Sequence, residues 1–157
     1  MERVPMTQDG ANAMRAELAE RKGEKRHHII GAIEEALAHG DLSENAEYHA
    51  AKEDQGMNEA LIKLLEDKLA RSQIIVPASI SAERIVFGAT VDLVDVDTEK
   101  KVTYQIVGED EAKIENGTIS ITSPVARALI GKEEGDVATV RAPSGEREYE
   151  ILSIVYV

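Results

Sequence analysis

AHGDLSENAEY, residues 38–48, separates two long segments of helical composition. The segment before it, residues 8–38, lacks proline and is rich in Ala, Glu, Arg and Lys, which favour helices. Gly40 fits the position just after a helix, where a left-handed backbone is needed. A second helical segment follows almost at once, from residue 42 to about residue 75. Because two long helices joined by so short a turn must run antiparallel, the sequence predicts a helical hairpin.

Apolar residues recur at helical spacing in both segments and should form the seam of this hairpin. They are Met14, Leu18, Ile29, Ile33 and Leu37 in the first arm, and Met57, Leu61, Leu64, Leu65 and Leu69 in the second. A polar run, residues 20–28, interrupts the first set and contains Gly23, so we expect a loose or solvated stretch there. Thr7 is the expected N-cap of the first helix, with Met6 as a hydrophobic staple. Arms of roughly 30 residues would each be about 45 Å long.

The period changes to strand-like alternation after a linker at residues 76–83. The predicted strands lie near Val91–Leu93, Val102–Ile106, Ile119–Ile121, Val137–Ala142 and Tyr149–Val157, with turns at Asp97–Lys100 and Pro143–Gly145. Ser123 as N-cap and Pro124 at the first helical position predict one short helix, which runs to Leu129. The chain therefore reads as α+β, with a hairpin at residues 1–75 and a small antiparallel sheet domain at residues 84–157.

Composition excludes several classes of function. The absence of cysteine removes disulfides, cysteine metal sites and thiol catalysis. A net charge of −12, shared by both halves, disfavours unaided binding to nucleic acid through a broad cationic surface. No secretory signal opens the chain, and no run approaches the roughly 20 apolar residues of a membrane span. We therefore expect a cytoplasmic protein with no membrane partner, which reaches nucleic acid through another protein or through a local patch. We also expect it to be monomeric.

Three acids crowd the turn of the hairpin: Asp41, Glu44 and Glu47, each three residues from the next. Asp-x-x-Glu ahead of a helix matches a capping box, and acids in a first helical turn complement the helix dipole. The alternative is a metal ligand delivered at the end of a rod. Two carboxylates are too few to hold Mg²⁺ alone, but they are enough to complete a site that another macromolecule half supplies. Spacing alone favours the cap.

Three motifs, in one order along essentially the whole chain, resemble the Gre family of bacterial transcript-cleavage factors. They are VPMT at residues 4–7 with Gly10, GDLSENAEYHAAK at residues 40–52, and SPVARALIGK at residues 123–132 followed by Gly135-Asp136. The resemblance is closest to the GreA branch. It implies that the N-terminal half is a coiled coil that enters the secondary channel of RNA polymerase. It also implies that the C-terminal half has an FKBP-like fold and docks at the channel entrance.

The same resemblance implies a function at the hairpin tip. Asp41 and Glu44 would reach the catalytic centre of a backtracked polymerase and stimulate it to cut its own nascent RNA near the 3′ end. They would share Mg²⁺ with the polymerase, in keeping with two-metal phosphodiester hydrolysis, and orient the attacking water. The chain itself would hold no metal and no cofactor, and would not be an enzyme on its own. Asn45, Glu47 and Tyr48 match the motif as supporting residues of the tip.

Further residues follow from the resemblance as contact candidates. Lys52 and His39 are the candidates for contact with the 3′ RNA, whereas Leu37 stands where the family often has a basic residue. So small a basic patch favours the GreA branch over the more basic GreB branch and predicts a preference for short backtracks. The candidates for docking on polymerase are Ser123, Pro124, Arg127, Gly131 and Lys132.

Three other functions fit parts of the sequence. A Gre-like inhibitor of the same channel would carry additional acids on an altered tip, and the intact tip motif disfavours it. A peptidyl-prolyl isomerase needs an aromatic pocket, but this half has only Phe87 and three tyrosines, Tyr104, Tyr149 and Tyr156. In a purely structural coiled-coil adaptor, the tip acids would serve only as caps.

Overall fold

The computed structural model describes residues 2–40 and 45–157, which form two compact units. The helical unit spans Ala11–Ser72. The sheet unit comprises Glu2–Gly10 and Gln73–Val157. The N-terminal segment thus belongs to the sheet unit, although the change of periodicity in the sequence assigns residues 1–75 to the hairpin.

The hairpin is built from two arms. The first consists of helix α1 (Gln8–Glu20), a π-helical turn (Arg21–Lys25) and helix α2 (Arg26–Leu37). The second is helix α3 (Ala46–Arg71), followed by strand β2 (Ser72–Ile75). The predicted extent of the first arm is confirmed, and its polar run, residues 20–28, contains the π-helical turn. The predicted start and end of the second helix are wrong. The helix α3 begins at Ala46, and the residues predicted as its last turn form strand β2.

Small and polar residues occupy much of the buried seam. The buried residues are Ala11, Ile29 and Ala36 in the first arm, and Ala51, Asn58, Ile62 and Leu65 in the second. Leu37, Met57 and Leu64, which were predicted to lie in the seam, are 46%, 61% and 46% exposed. At Met57 the prediction failed because the neighbouring Asn58 takes the inward position, where its amide finds hydrogen-bond partners in the opposite arm.

The sheet unit contains a five-stranded sheet. Its strands are β3 (Thr90–Asp95), β4 (Lys101–Val107), β5 (Thr118–Ser120), β6 (Val137–Ala142) and β7 (Gly145–Val155), in the order β5-β4-β3-β7-β6. Helix α4 (Pro124–Leu129) has the predicted bounds, with Ser123 as its N-cap. The prediction of a wholly antiparallel sheet is wrong at one edge, because β5 pairs parallel to β4. The connection between them crosses over, so β5 runs in the same direction as β4.

Alternating large aliphatic side chains form the core of this unit. Leu93, Ile106, Leu129 and Ile151 are completely or almost completely buried, so they bring three neighbouring strands and α4 into one cluster. Burial of such side chains contributes about 1.5–3 kcal/mol each. This core is what holds the sheet unit together.

Glu111 ties the N-terminal segment to the sheet unit. Strand β1 (Val4–Thr7) pairs with β2. The backbone N–H and the hydroxyl of Thr7 both donate to the Glu111 carboxylate, the first at 2.8 Å, and the N–H of Gly108 donates to it at 2.9 Å. A side chain at Gly10 would overlap this carboxylate. As predicted, the Thr7 hydroxyl also caps α1, because it accepts from the N–H of Gly10 at 3.1 Å.

Asp95 closes the turn between β3 and β4. Its buried carboxylate accepts the backbone N–H groups of Asp97 and Thr98 at 2.9 and 3.1 Å. The hydrogen bond from the Thr98 backbone is the main cause that lowers the pKa of Asp95 below its usual value. Arg147, 3.8 Å away, lowers this pKa further through a weaker charge attraction. The predicted turn at Asp97–Lys100 is therefore confirmed and depends on an ionised side chain.

In the described parts of the chain, no helix combines the length and the apolarity that crossing a membrane requires.

Candidate functional site

The two arms approach the tip with well-defined ends. The first arm ends through backbone hydrogen bonds from His39 N–H to the Ala36 carbonyl and from Gly40 N–H to the Leu37 carbonyl. Gly40 has a φ of +106°, which confirms the predicted left-handed position. Asp41 and Glu44, the predicted catalytic pair, lie outside the described residues, together with the two residues between them.

Asn45 connects the two arms at the tip. Its side-chain oxygen accepts the N–H of Tyr48 at 3.1 Å and so caps α3. Its side-chain nitrogen donates to the carbonyl of Ala36, in the last turn of α2, at 2.6 Å. Both backbone groups lie at helix ends; the N–H of Tyr48 is in the first turn of α3, and the Ala36 carbonyl also accepts from the N–H of His39. The side chain of Asn45 therefore fixes the start of one helix against the end of the other.

The position of this cap bears on the acids that precede it. A capping box formed by Asp41 and Glu44 requires a helix that starts at residue 42, but α3 starts at Ala46 and is capped by Asn45. The capping-box interpretation is therefore wrong for α3.

The remaining tip residues lie close to Asn45. His39 Nδ1 is 3.4 Å from Glu47 Oε2, and both side chains are more than half exposed. Tyr48 is half-buried, and its ring meets His49 edge-on at a centroid distance of 5.6 Å. Lys52 is exposed, one turn further along α3, and donates to Gln55 at 2.8 Å. The structure thus brings His39 and Glu47 together near the cap, whereas the ring of Tyr48 contacts His49.

The described residues, 2–40 and 45–157, include no cluster of three or more His, Cys, Asp or Glu side chains that could hold a metal ion.

A second candidate surface is a groove of about 570 Å³ in the sheet unit. Its lining includes three cations, Arg127, Lys132 and Arg141, in a chain with a net charge of −12. Two exposed apolar side chains, Ile130 and Val137, also line it. A groove with this combination suits a partner that presents acidic groups around an apolar side chain.

The five predicted docking residues divide into two kinds. Pro124, Arg127 and Lys132 line the groove. Ser123 caps α4 by accepting the N–H of Ala126 at 3.2 Å. Gly131 has a φ of +85°, and its carbonyl accepts from Arg84 at 2.9 Å. Ser123 and Gly131 therefore shape the groove without lining it.

Sequence reasoning missed some residues of both surfaces. Arg141 and Val137 lie on the outward side of β6, opposite the buried Ala138 and Val140, and strict alternation along that strand could have identified them. The link from Asn45 to the Ala36 carbonyl had no signal in the sequence, because it joins two helix ends across the turn.

Comparison with known families covers almost the whole chain. Residues 4–74 match the family described as "Transcription elongation factor, N-terminal". Residues 80–156 match the family described as "Transcription elongation factor, GreA/GreB, C-term".

Individual relatives agree with both matches. The chain is 58% identical over 157 residues to a protein of Alkalilimnicola ehrlichii named transcription elongation factor GreA, with 99% of each chain covered. It is 57% identical over 158 residues to a protein of the same name from Thioalkalivibrio sulfidiphilus, with 100% of each covered. Among solved structures, the GreA factor homolog 1 of Thermus thermophilus is 28% identical, with a TM-score of 0.44 over 98% of this chain and 99% of the other.

Proposed function

This chain belongs to the GreA/GreB family of transcription elongation factors, and we propose that it stimulates RNA polymerase to cleave the nascent transcript in backtracked, arrested complexes. In this proposal the helical hairpin enters the secondary channel of the polymerase, and its tip reaches the 3′ end of the RNA. Cleavage by the polymerase creates a new 3′ end in register, from which elongation resumes. The factor acts in the cytoplasm as a monomer, contacts DNA only through the polymerase, and is not itself an enzyme.

The observation that carries the proposal is the cap of α3. Since Asn45 supplies the cap, the adjacent helix does not require Asp41 and Glu44 as caps. The bridge from Asn45 to Ala36 also holds the two helix ends on either side of these acids. In this proposal, the two acids, which lie in the sequence between these helix ends, are delivered into the active site of the polymerase.

The chemistry of the two acids fits Mg²⁺, which prefers oxygen ligands and binds through one or two carboxylates together with phosphates. Magnesium ions in the polymerase would stabilise the attacking and the leaving oxygen of the phosphodiester. Asp41 and Glu44 would help to retain the ion that the polymerase holds weakly, and would orient or deprotonate the attacking water. Glu47, Tyr48 and Asn45 would support their placement.

The RNA and polymerase contacts follow from the other exposed residues. Lys52 and His39 are the proposed contacts with the RNA 3′ end, and so small a basic patch suits short backtracks. We assign the sheet unit to an FKBP-like fold, on the basis of its five-stranded sheet and single short helix. Its cationic groove, lined by Arg127, Lys132 and Arg141, is the proposed docking surface at the channel entrance.

Aromatic placement disfavours prolyl isomerisation by the sheet unit. Phe87 and Tyr149 are buried. Tyr156 donates its hydroxyl to the Arg84 carbonyl at 2.7 Å, so it is engaged within the unit. An inhibitor that enters the same channel is the second candidate, because it would use the same hairpin with a different outcome at the tip.

A cleavage assay separates these functions. Purified polymerase is stalled in a backtracked state and given Mg²⁺ with the wild-type factor, Asp41→Asn, Glu44→Gln, or Glu53→Gln as a matched control on the exposed face of α3. We expect the wild type and the control to shorten the transcript from its 3′ end, and each tip variant to lose about a hundredfold or more of that stimulation. Shortening that survives both tip substitutions would remove the acids as the active element. Slowed elongation without shortening would favour the inhibitor.

A further inference from the structure

The first arm of the hairpin contains one residue more than a regular alternation of three- and four-residue steps along its seam would require. In α3, one continuous row of buried or half-buried positions follows a heptad spacing of four and three, at Ala51, Gln55, Asn58, Ile62 and Leu65, and other half-buried residues such as Glu59 and Leu61 flank this row. In the first arm, the corresponding row alternates by three and four, except for one step of five, and the half-buried Ala32 flanks it. The positions of this row are Ala11, Met14, Leu18, Arg21, Arg26, Ile29, Ile33 and Ala36, and the long step runs from Arg21 to Arg26.

The π-helical turn absorbs this extra residue. It covers Arg21–Lys25, which is the long step of the seam. A π-helical turn closes its hydrogen bonds over one residue more than an α-helical turn, so it restores the phase of the seam beyond it. Residues 22–25 are all exposed, and a Cβ added at Gly23 would meet nothing within 4 Å. The extra residue is therefore accommodated on the solvent side.

Asn58 closes this turn from the opposite arm. It is only 1% exposed, and its side-chain nitrogen donates to the Arg21 carbonyl at 3.0 Å. Its side-chain oxygen accepts from Arg21 Nη1 at 3.2 Å, so both ends of the amide are satisfied. Arg26 flanks the layer through two hydrogen bonds to Glu59, at 2.7 and 2.9 Å. A buried Asn in a coiled-coil seam characteristically specifies register at some cost in stability.

We propose that Asn58 is a positioning residue for the hairpin tip. By holding Arg21, it keeps the extra residue inside the π-helical turn. This keeps α2 in the phase that brings the Ala36 carbonyl to the side chain of Asn45. If the extra residue passed into α2, the helix would rotate by about 100° and shift by about 1.5 Å, and the contact between Ala36 and Asn45 would be lost. The link to cleavage rests on the proposed function, whereas the link to Asn45 does not.

The structural experiment uses the free protein. Asn58→Leu removes the hydrogen bonds that hold Arg21 and, with it, the extra residue in the π-helical turn. A second variant combines Asn58→Leu with deletion of Gly23. The deletion removes the extra residue and makes the seam spacing regular in both arms. Nuclear magnetic resonance follows the side-chain amide of Asn45. We expect its signal to shift and its hydrogen exchange to accelerate in Asn58→Leu, and to return to the wild-type pattern in the double variant. Glu59→Gln, which weakens the neighbouring ion pair, is the control and should leave Asn45 unchanged.

The functional experiment uses the same proteins with backtracked polymerase at saturating factor. We expect Asn58→Leu to lower the maximal cleavage rate by about tenfold or more, because small displacements of reacting groups are costly. The concentration for half-maximal effect should change little, and the double variant should recover the rate. A purely stabilising role for Asn58 would lower helicity and give no recovery.

Two results would overturn the proposal. One is an unchanged Asn45 signal in Asn58→Leu. The other is a failure of the double variant to restore this signal. This second result would overturn the proposal even if Asn58→Leu alone does not fold. If wild-type protein and variants all fail to stimulate cleavage while the Asn45 signal behaves as expected, the proposed function fails and the positioning role of Asn58 stands.

Discussion

The hairpin and the sheet unit are held together by different kinds of interaction. The sheet unit buries large aliphatic side chains such as Leu93, Ile106 and Ile151 in one cluster. The seam of the hairpin includes alanines and one buried Asn, and side-chain hydrogen bonds cross between its arms at the tip and at the π-helical turn. Apolar burial is strong and non-directional, whereas hydrogen bonds contribute less free energy but fix direction. A single substitution in the sheet core should therefore mainly lower the stability of that unit. A single substitution in the hairpin seam should mainly displace one part of the hairpin relative to another.

The largest effect is expected in the sheet core. Ile151 and Leu152 are neighbours on β7, but they are 1% and 42% exposed. Ile151→Ala should lower the free energy of unfolding of the sheet unit by about 2–5 kcal/mol, because it removes buried surface and leaves a cavity. Leu152→Ala is the matched control and should cost no more than about 0.5 kcal/mol. Denaturant unfolding measures both, and similar losses for the two variants would contradict the comparison.

An intermediate effect is expected at the tip. Asn45→Ala removes the cap of α3 and the bridge to Ala36, and should cost about 1–2 kcal/mol of hairpin stability, measured by thermal unfolding followed by circular dichroism. Asn45→Asp keeps an oxygen for the N–H of Tyr48 but loses the donor to Ala36. It should retain most of the stability and still lower maximal cleavage stimulation. Equal losses of stability in both variants would show that the bridge, rather than the cap, stabilises the hairpin.

A smaller effect, dependent on pH, is expected in the turn that Asp95 closes. Hydrogen bonds to the ionised carboxylate lower the pKa of Asp95 in the folded state. Its contribution is therefore present above the unfolded-state pKa of about 3.9 and is lost as the pH falls through the folded-state value. Asp95→Asn should be less stable than wild type at pH 7, and the difference should shrink in acid. Unfolding curves measured across pH test this, with Asp97→Asn, at an exposed position, as the control. A stability difference between wild type and Asp95→Asn that grows in acid would contradict the expected role of the ionised carboxylate.

Local patterns predicted much of the fold. Ser123-Pro124 gave the start of α4, alternation gave β3, β4 and β6, and Gly40 gave the end of the first arm. Each of these depends on neighbouring residues, whose backbone preferences are readable in order. The parallel pairing of β5 was not readable, because strand direction depends on the path of the connection before it.

The candidate site was predicted more in identity than in geometry. The motif identified Asn45, Glu47 and Tyr48 as tip residues and Asp41 and Glu44 as the catalytic pair, whereas spacing alone favoured these two acids as the cap of the second helix. The structure assigns that cap to Asn45. Asn is as good a cap as Asp, so the choice between candidates four residues apart depends on where the helix begins. In this protein, a contact with Ala36 in the other arm accompanies that choice.

The sequence by itself determined the two-part organisation, the composition of each part and the family, because periodicity and motifs are carried by short stretches of chain. Only the tertiary structure decided that Asn58 lies inside the seam, that the polar run of the first arm is a π-helical turn, and that Arg141 joins Arg127 and Lys132 in one groove. The physical reason is the same in each case. From the sequence alone, a polar residue is predicted to be exposed. The partner that satisfies its hydrogen bonds, or that lies beside it on one surface, comes from a distant part of the chain and is known only from the tertiary structure.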